Sequence, residues 1–363
     1  MTPILTPLRL GAPVATAALL WHSTALANPT DAAPCRSLPD PAQRLACYDR
    51  VFDHPQAAAA PVVLPAAAPP ASAPTPLANA APDPAPESAQ AANMLSRFWD
   101  LDWAYKRGPF FFKTYQPNFV LPLHSTSSIN NAPASPTHPS TSTANYRPTE
   151  AKFQLSLRAK IWEDALLPGA DLWGAYTQRS FWQLWNEPAS SPFRSTDYQP
   201  ELIYVIPVPR ELDKLPGGWH WRMLQLGWGH QSNGQSDPQS RSWNFAQTTL
   251  GVERGELSVR LRVNRRTSER GVDDNPHLTD YIGKAELSAS WAPGLSIATL
   301  THRNTLKLSG RGSTQLDWSY PVDSNHPQGL RWYVQFFSGY GETLLDYNHR
   351  QNSMGLGVSL FQY

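Results

Sequence analysis

Three side chains in the second half of the 363-residue chain have the types and spacing for acyl transfer: His230, Ser232 and Asn244. A serine hydroxyl becomes a nucleophile when an imidazole takes its proton. A third group must then hold that imidazole in the tautomer able to do so. His230 and Ser232 are two residues apart, so on an extended strand both leave the same face, within hydrogen-bond reach. Leu224, Leu226 and Trp228 share that face, and Gln225, Gly227, Gly229 and Gln231 occupy the other. The pair therefore sits just past an apolar band, pointing the way that band points. Asn244 lies on the returning segment, on the parity of Ala246, Leu250 and Val252. Its carbonyl can accept the imidazole N–H across a hairpin. A His-x-Ser pair alone is weak evidence, since a surface histidine often neighbours a serine; the asparagine gives it weight.

The segments that must carry these groups announce themselves by alternation. Ala151, Phe153, Leu155, Leu157, Ala159 and Ile161 alternate with Lys152, Gln154, Ser156, Arg158 and Lys160. Leu257, Val259, Leu261 and Val263 alternate with Ser258, Arg260, Arg262 and Asn264. Period two places one face in an apolar medium and the other in a polar one. About twelve such segments follow one another, near 110–123, 150–162, 171–187, 196–209, 217–231, 240–253, 255–265, 278–291, 294–303, 312–321, 329–341 and 352–363. Several exceed the usual length of a soluble strand, and lengths of about ten residues suit strands tilted through a bilayer. The expectation is an all-β, twelve-stranded antiparallel transmembrane β-barrel. A soluble β-sandwich would alternate too, with its apolar face inward. An export signal, the even strand number and aromatics near strand ends (Trp182, Trp185, Trp219, Trp221, Trp228, Trp332, Tyr333) favour the barrel, as does the terminal Tyr363.

The rest of the chain bounds the function. Residues 1–27 read as a signal peptide, with Arg9, an apolar run from Val14 to Trp21, and Ala25-Leu26-Ala27 before Asn28. Residues 28–54 hold Cys35 and Cys47, either as a small disulfide-closed or helical module or as two unpaired thiols. Residues 55–91 are Pro/Ala-rich, with 10 Pro in the 32 residues from Pro55 to Pro86, and read as a linker. A short helix is expected within 91–105, and the barrel occupies 92–363. Lys+Arg 30 against Asp+Glu 29 leaves a net charge of +1, with none of the basic excess of a nucleic-acid binder. Past the signal no run approaches the length of a membrane helix, and two cysteines cannot build a multi-cysteine zinc site.

The run from His230 to Asn244 resembles the active-site hairpin of the outer-membrane phospholipase A family. Tyr176 to Leu184, Ser190-Ser191-Pro192-Phe193-Arg194, Asp273-Asp274-Asn275-Pro276, Ser338 to Glu342 and Asp346-Tyr347-Asn348 are similar to further blocks of it, in the same order. The resemblance spans about residues 92–363. It implies a homodimeric, calcium-dependent barrel of the cell outer membrane that hydrolyses acyl esters of membrane glycerophospholipids, with phospholipase A1, A2 and lysophospholipase activity. Ser232 would be the nucleophile, His230 the general base and acid, Asn244 its orienting group, and the Gly234 amide part of the oxyanion hole. Calcium (Ca2+) would be held by the Gln235 carbonyl, Ser240 and Ser190 of the partner subunit, with Asp274 serving a nearby calcium position. Gln178 would lie in the dimer interface. Gln235 departs from the family's usual Arg, which bears on calcium affinity. The N-terminal segment would be periplasmic. A non-enzymatic outer-membrane channel would share the barrel, but Lys152, Arg158, Arg260 and Arg262, inward by parity, argue for a filled lumen.

Overall fold

The structure is a computed structural model that describes residues 94–360, apart from 141–144, 190–192, 270, 272, 308 and 309, together with residues 40, 43, 44 and 47. The signal segment, the linker, Cys35, Ser190 and Tyr363 lie outside the described residues. Cys47 is disulfide-bonded. Two compact units divide the chain, Met1–Asn79 and Ala80–Tyr363, and the second holds the elements below.

Alternating sequence becomes alternating exposure along twelve strands. They are β1 Asn118–Thr126, β2 Thr149–Trp162, β3 Asp171–Trp182, β4 Ser195–Pro207, β5 Trp219–Ser232, β6 Ser242–Arg254, β7 Leu257–Thr267, β8 Ala285–Trp291, β9 Ile297–Asn304, β10 Gly312–Pro321, β11 Leu330–Tyr340 and β12 Arg350–Leu360. Each pairs antiparallel with the next, and β12 pairs back onto β1, so the sheet closes. A short strand, Phe112–Thr114, continues the β1 edge along β2. Closure satisfies every ladder and leaves no edge, which is what hydrocarbon demands of a spanning sheet. On the outside Leu155, Leu202, Leu226, Leu261, Leu300, Leu316, Phe336 and Leu356 are exposed. On the inside Lys152, Gln154, Arg158, Gln225, Gln247, Asp317 and Gln335 are buried. Apolar out and polar in is the reverse of a β-sandwich, and it fits a barrel in a membrane.

The two ends of the barrel differ. Loops 127–148, 183–194, 233–241, 268–284, 305–311 and 341–349 cluster at one end, which also carries the tip of the hairpin formed by β5 and β6. The other end has tighter connections, down to the two-residue turn between β6 and β7. There helix α1, Met94–Trp99, plugs the lumen. Leu95 and Trp99 pack against Trp173, Ile203, Val205 and Met223, and the Arg158 guanidinium lies 3.6 Å from the Phe98 ring centroid and 4.1 Å from that of Trp99. The Leu95 amide, one of the orphan donors of a helix start, donates to Glu253 Oε2 at 2.9 Å.

Buried ions fill the loop end of the lumen. Arg194 bonds Glu150 at 2.8 and 2.9 Å and Asp346 at 2.7 Å. Lys152 donates to Glu342 at 2.7 Å, and His124 lies 3.0 Å from the same carboxylate. Burial alone would raise the Glu342 carboxyl, but Lys152 and His124 outweigh it and hold the group well below its ordinary range.

Two details differ from the sequence reading. Tyr333, expected among the interfacial aromatics, faces inward: Trp332 takes the outward position, and Tyr333 stacks on Phe119 at 5.1 Å and donates to Asp317 at 2.8 Å. The strand expected from 278 begins at Ala285, because Leu278 is drawn into a cluster with Trp243, Phe245, Leu344 and Tyr347, and helix α2, Thr279–Ile282, follows it.

Candidate active site

The β5–β6 hairpin owes its two functions to its two faces. Its inner face is a packed wall: Trp243 and Phe245 are buried with ring centroids 4.6 Å apart, and Trp243 Nε1 donates to Gln231 Oε1 at 2.8 Å. Gly229 lies directly across from Phe245, and lacking a Cβ it leaves room for that ring. With the inner face locked, the outer residues have fixed positions. Register pairs Trp228 with Ala246, His230 with Asn244 and Ser232 with Ser242. Leu226 and Trp228, 46% and 51% exposed, mark that face as the apolar one. His230, Ser232 and Asn244 continue it at the loop end.

His230 Nδ1 lies 2.8 Å from Asn244 Oδ1. A carbonyl oxygen can only accept, so in the neutral ring Nδ1 carries the proton and Nε2 holds the lone pair. That is the tautomer a general base requires. Ser232 shares the face, as parity requires, but its Oγ makes no hydrogen bond to the imidazole or to any other described residue. Nucleophile–base hydrogen bonds are often long before substrate arrives. The structure thus joins His230 to Asn244 and leaves Ser232 beside them without a bond.

The loop after Ser232 is built around a residue that sequence reasoning passed over. Asn233 is buried; its Nδ2 donates to the Gln239 carbonyl at 2.7 Å, and its Oδ1 accepts from the amides of Arg241 at 2.9 Å and Gln235 at 3.3 Å. One amide side chain therefore closes the whole turn. Gly234 follows with φ 63°, and a Cβ there would come within 2.9 Å of Tyr198 Cε2. Only glycine fits between that ring and the turn. The residue is exposed, and its amide bonds no described group.

At the far side of the loop, Ser240 Oγ donates to Asp274 Oδ2 at 2.6 Å. Asp237, Asp274 and His138 place ligand atoms within 4.8 Å of one another. Ser135 and Thr137 donate to the carbonyls of Asp274 and Asp273 at 2.7 and 2.8 Å, strapping loop 127–148 onto this segment. His138 and Asp237 were not singled out from the sequence. Asp237 lies within the polar hairpin run and could have been; nothing local marks His138, whose partners are about a hundred residues or more away. Burial raises the carboxyl of nearby Glu269 against the pull of Arg266, 3.1 Å away.

Gln178 faces outward with Tyr176. Its amide is not orphaned: Tyr176 Oη donates to Oε1 at 3.1 Å, and Nε2 donates to Ser180 Oγ at 3.4 Å. Gln178 pairs with Tyr198, and Tyr198 with Ser232.

A closed barrel with an apolar exterior, carrying hydroxyl, imidazole and amide on its outer wall, defines a membrane-embedded β-barrel hydrolase. Residues 95–360 match the family model described as Phospholipase A1. The chain is 37% identical over 252 residues to the phospholipase A1 of Salmonella typhimurium, covering 69% of this chain and 82% of that protein. The solved outer membrane phospholipase A from Escherichia coli superposes with a TM-score of 0.61 at 35% identity, covering 69% of this chain and 94% of the other. The Salmonella typhi outer membrane phospholipase, a dimer with bound calcium, gives 0.62 at 35% identity, covering 77% and 99%. The chain belongs to the phospholipase A1 family: it is a carboxylic-ester hydrolase of the outer membrane.

Proposed function

We propose that the chain hydrolyses acyl esters of membrane glycerophospholipids at Ser232, His230 and Asn244, on the outer wall of the barrel, as a calcium-dependent homodimer. The reading includes phospholipase A1, A2 and lysophospholipase activity. The observation that carries it is the 2.8 Å bond between His230 Nδ1 and Asn244 Oδ1 on a lipid-facing surface, with Ser232 on the same face. A diffusing lipid meets these groups sideways, without leaving the bilayer.

Ser232 Oγ attacks the ester carbonyl carbon as its proton passes to His230 Nε2. Asn244 Oδ1 keeps the ring oriented through that step and, lacking a full charge, stabilises the imidazolium less than a carboxylate would. The Gly234 amide donates to the oxyanion of the tetrahedral intermediate. His230 then protonates the departing lysophospholipid oxygen, leaving an acyl-Ser232 ester. Water, deprotonated by His230, attacks that ester and releases the fatty acid.

The donors beside the oxyanion turn fit calcium, which takes hard oxygen ligands. They are the Gln235 carbonyl and the Ser240 hydroxyl, with Asp274, bonded to Ser240 and grouped with Asp237 and His138, serving a nearby calcium position. Bound there, calcium would add positive charge beside the developing oxyanion. A backbone carbonyl at 235 tolerates Gln for Arg. Ser190 of the partner subunit would complete the shell, making activity depend on the dimer. Gln178 supports that arrangement: it stands two strands from Ser232 on one line of register, so a partner docked over Gln178 also reaches the site. The test is hydrolysis of phospholipid in detergent micelles, with calcium or with EDTA, alongside crosslinking. Ser232→Ala in a folded barrel should lose at least about a thousandfold in rate. EDTA should do the same to the native chain. Full activity in either arm would overturn the reading.

A further inference from the structure

Arg265 is a cation at the loop end of the lipid-facing wall. On β7 the outward positions run Leu257, Val259, Leu261, Val263 and then Arg265; Leu261 and Val263 are 41% and 43% exposed. Arg265 pairs with Ala246, which pairs with Trp228, so its side chain leaves the same lipid-facing wall as the catalytic groups. It is exposed and makes no hydrogen bond or ion pair with any described residue. Its neighbour Arg266 points the other way and is satisfied by Asp273 at 2.7 Å, Glu269 and the Asn275 carbonyl. Two adjacent arginines therefore differ: one is consumed by the protein, and the other is offered to the bilayer. A cation on a lipid-facing wall marks a functional position by default.

Its depth follows from register. The line Leu224, Leu250, Leu261, Leu287, His302, Thr314, Ser338, Asn352 runs across β5 to β12 and passes from apolar to polar outward residues. Lines of register thus climb toward the loop end in that direction, as strand tilt requires. Arg265 is two strands further along this climb than His230 and one two-residue step back. The two displacements offset, and both residues lie at one depth, roughly 12 Å apart around the barrel. A long arginine can raise its guanidinium to the headgroup layer from there.

We propose that Arg265 binds the phosphodiester of the lipid being cleaved and thereby sets the depth and orientation of its ester at Ser232. This rests on the phospholipase reading above and adds the headgroup subsite to it. A guanidinium matches phosphate in charge and in paired N–H geometry. In a glycerophospholipid the ester and the phosphate share one glycerol, so a guanidinium raised along the wall toward the loop end approaches the phosphate of a lipid whose ester lies at Ser232.

The experiment compares the native chain with Arg265→Gln and Arg265→Lys in detergent micelles with calcium, on a diacyl glycerophospholipid and on a phosphate-free diacylglycerol of the same acyl chains. Barrel folding is verified by the gel shift between heated and unheated samples. Arg265→Gln should raise KM for the phospholipid about tenfold, leave kcat within about twofold, and leave hydrolysis of the neutral ester unchanged. Arg265→Lys should recover part of the loss. Equal losses on both substrates, or none on the phospholipid, would overturn the proposal. So would a loss seen only when a phosphorylated glycolipid is added to the micelles, which would assign the phosphate to a neighbouring lipid instead. If the native chain cleaves neither ester, it is the phospholipase reading that fails, not this subsite.

Discussion

The inner and outer walls of this barrel use polar groups in opposite ways. Inside, Glu150, Arg194, Asp346, Lys152, Glu342 and His124 are buried and bonded to one another at 2.7–3.0 Å. Burial alone would lower the Arg194 guanidinium, yet Glu150 and Asp346 outweigh it and hold the group above its ordinary value. Outside, His230 has one partner, Ser232 none and Arg265 none among the described residues. Polar groups that satisfy each other make structure; polar groups left half-satisfied at a wet rim make chemistry. The same alternation writes both, since one residue's step exchanges the walls.

The largest effect that could break this contrast is on the inner wall. Glu150→Ala should leave Arg194 short of its bidentate partner and destabilise the barrel by about 3–5 kcal/mol. Urea unfolding in micelles measures it. Hydrolysis per folded barrel should stay near that of the native chain. A collapse of turnover at unchanged stability would mean that the lumen network acts on the site directly, and the division between walls would fail.

How much of this was legible beforehand follows the same division. Period-two alternation fixes which wall each residue faces, so the sequence alone turns Ser232, His230 and Asn244 outward, and Lys152, Arg158 and Arg262 inward. Hairpin partners fourteen residues apart, such as His230 and Asn244, follow from local pairing. Partners across the lumen do not: Lys152 and Glu342 are 190 residues apart, and no periodicity specifies which buried cation meets which carboxylate. Arg194 was noted only within a motif, and His124 not at all. Loop 127–148 carries no alternation or motif that names a partner, so its bonds to the Asp273 and Asp274 carbonyls do not show in the sequence. Tyr333 lies near a strand end like the interfacial aromatics, but its parity is opposite to that of Trp332, and parity decides the wall.

An intermediate effect sharpens the outer half of the comparison. Asn244→Ala removes the acceptor that fixes the His230 tautomer, and turnover should fall about a hundredfold. Asn244 is half-buried and belongs to no buried network, so unfolding stability should move by no more than about 0.5 kcal/mol. The pair of measurements mirrors Glu150→Ala: rate without stability, against stability without rate. A large loss of stability would place Asn244 with the structural groups after all.

The smallest effect falls on the residue that belongs to both classes. Asn233 is buried like a lumen residue, yet its bonds to Gln239, Arg241 and Gln235 shape the turn that presents Gly234, the Gln235 carbonyl and Ser240. Asn233→Ala deletes these bonds, and about 1–2 kcal/mol is the expected scale for losing them. On the proposed calcium-dependent reading, that cost appears in the folded barrel as a turn that must be ordered on binding the ion. The calcium concentration giving half-maximal hydrolysis should therefore rise about tenfold, while the rate at saturating calcium returns toward the native value. If saturating calcium restores nothing, Asn233 acts on the oxyanion geometry itself. If the calcium curve does not move, the turn is held by its ends, where Ser232 pairs with Ser242, and Asn233 is only filling space.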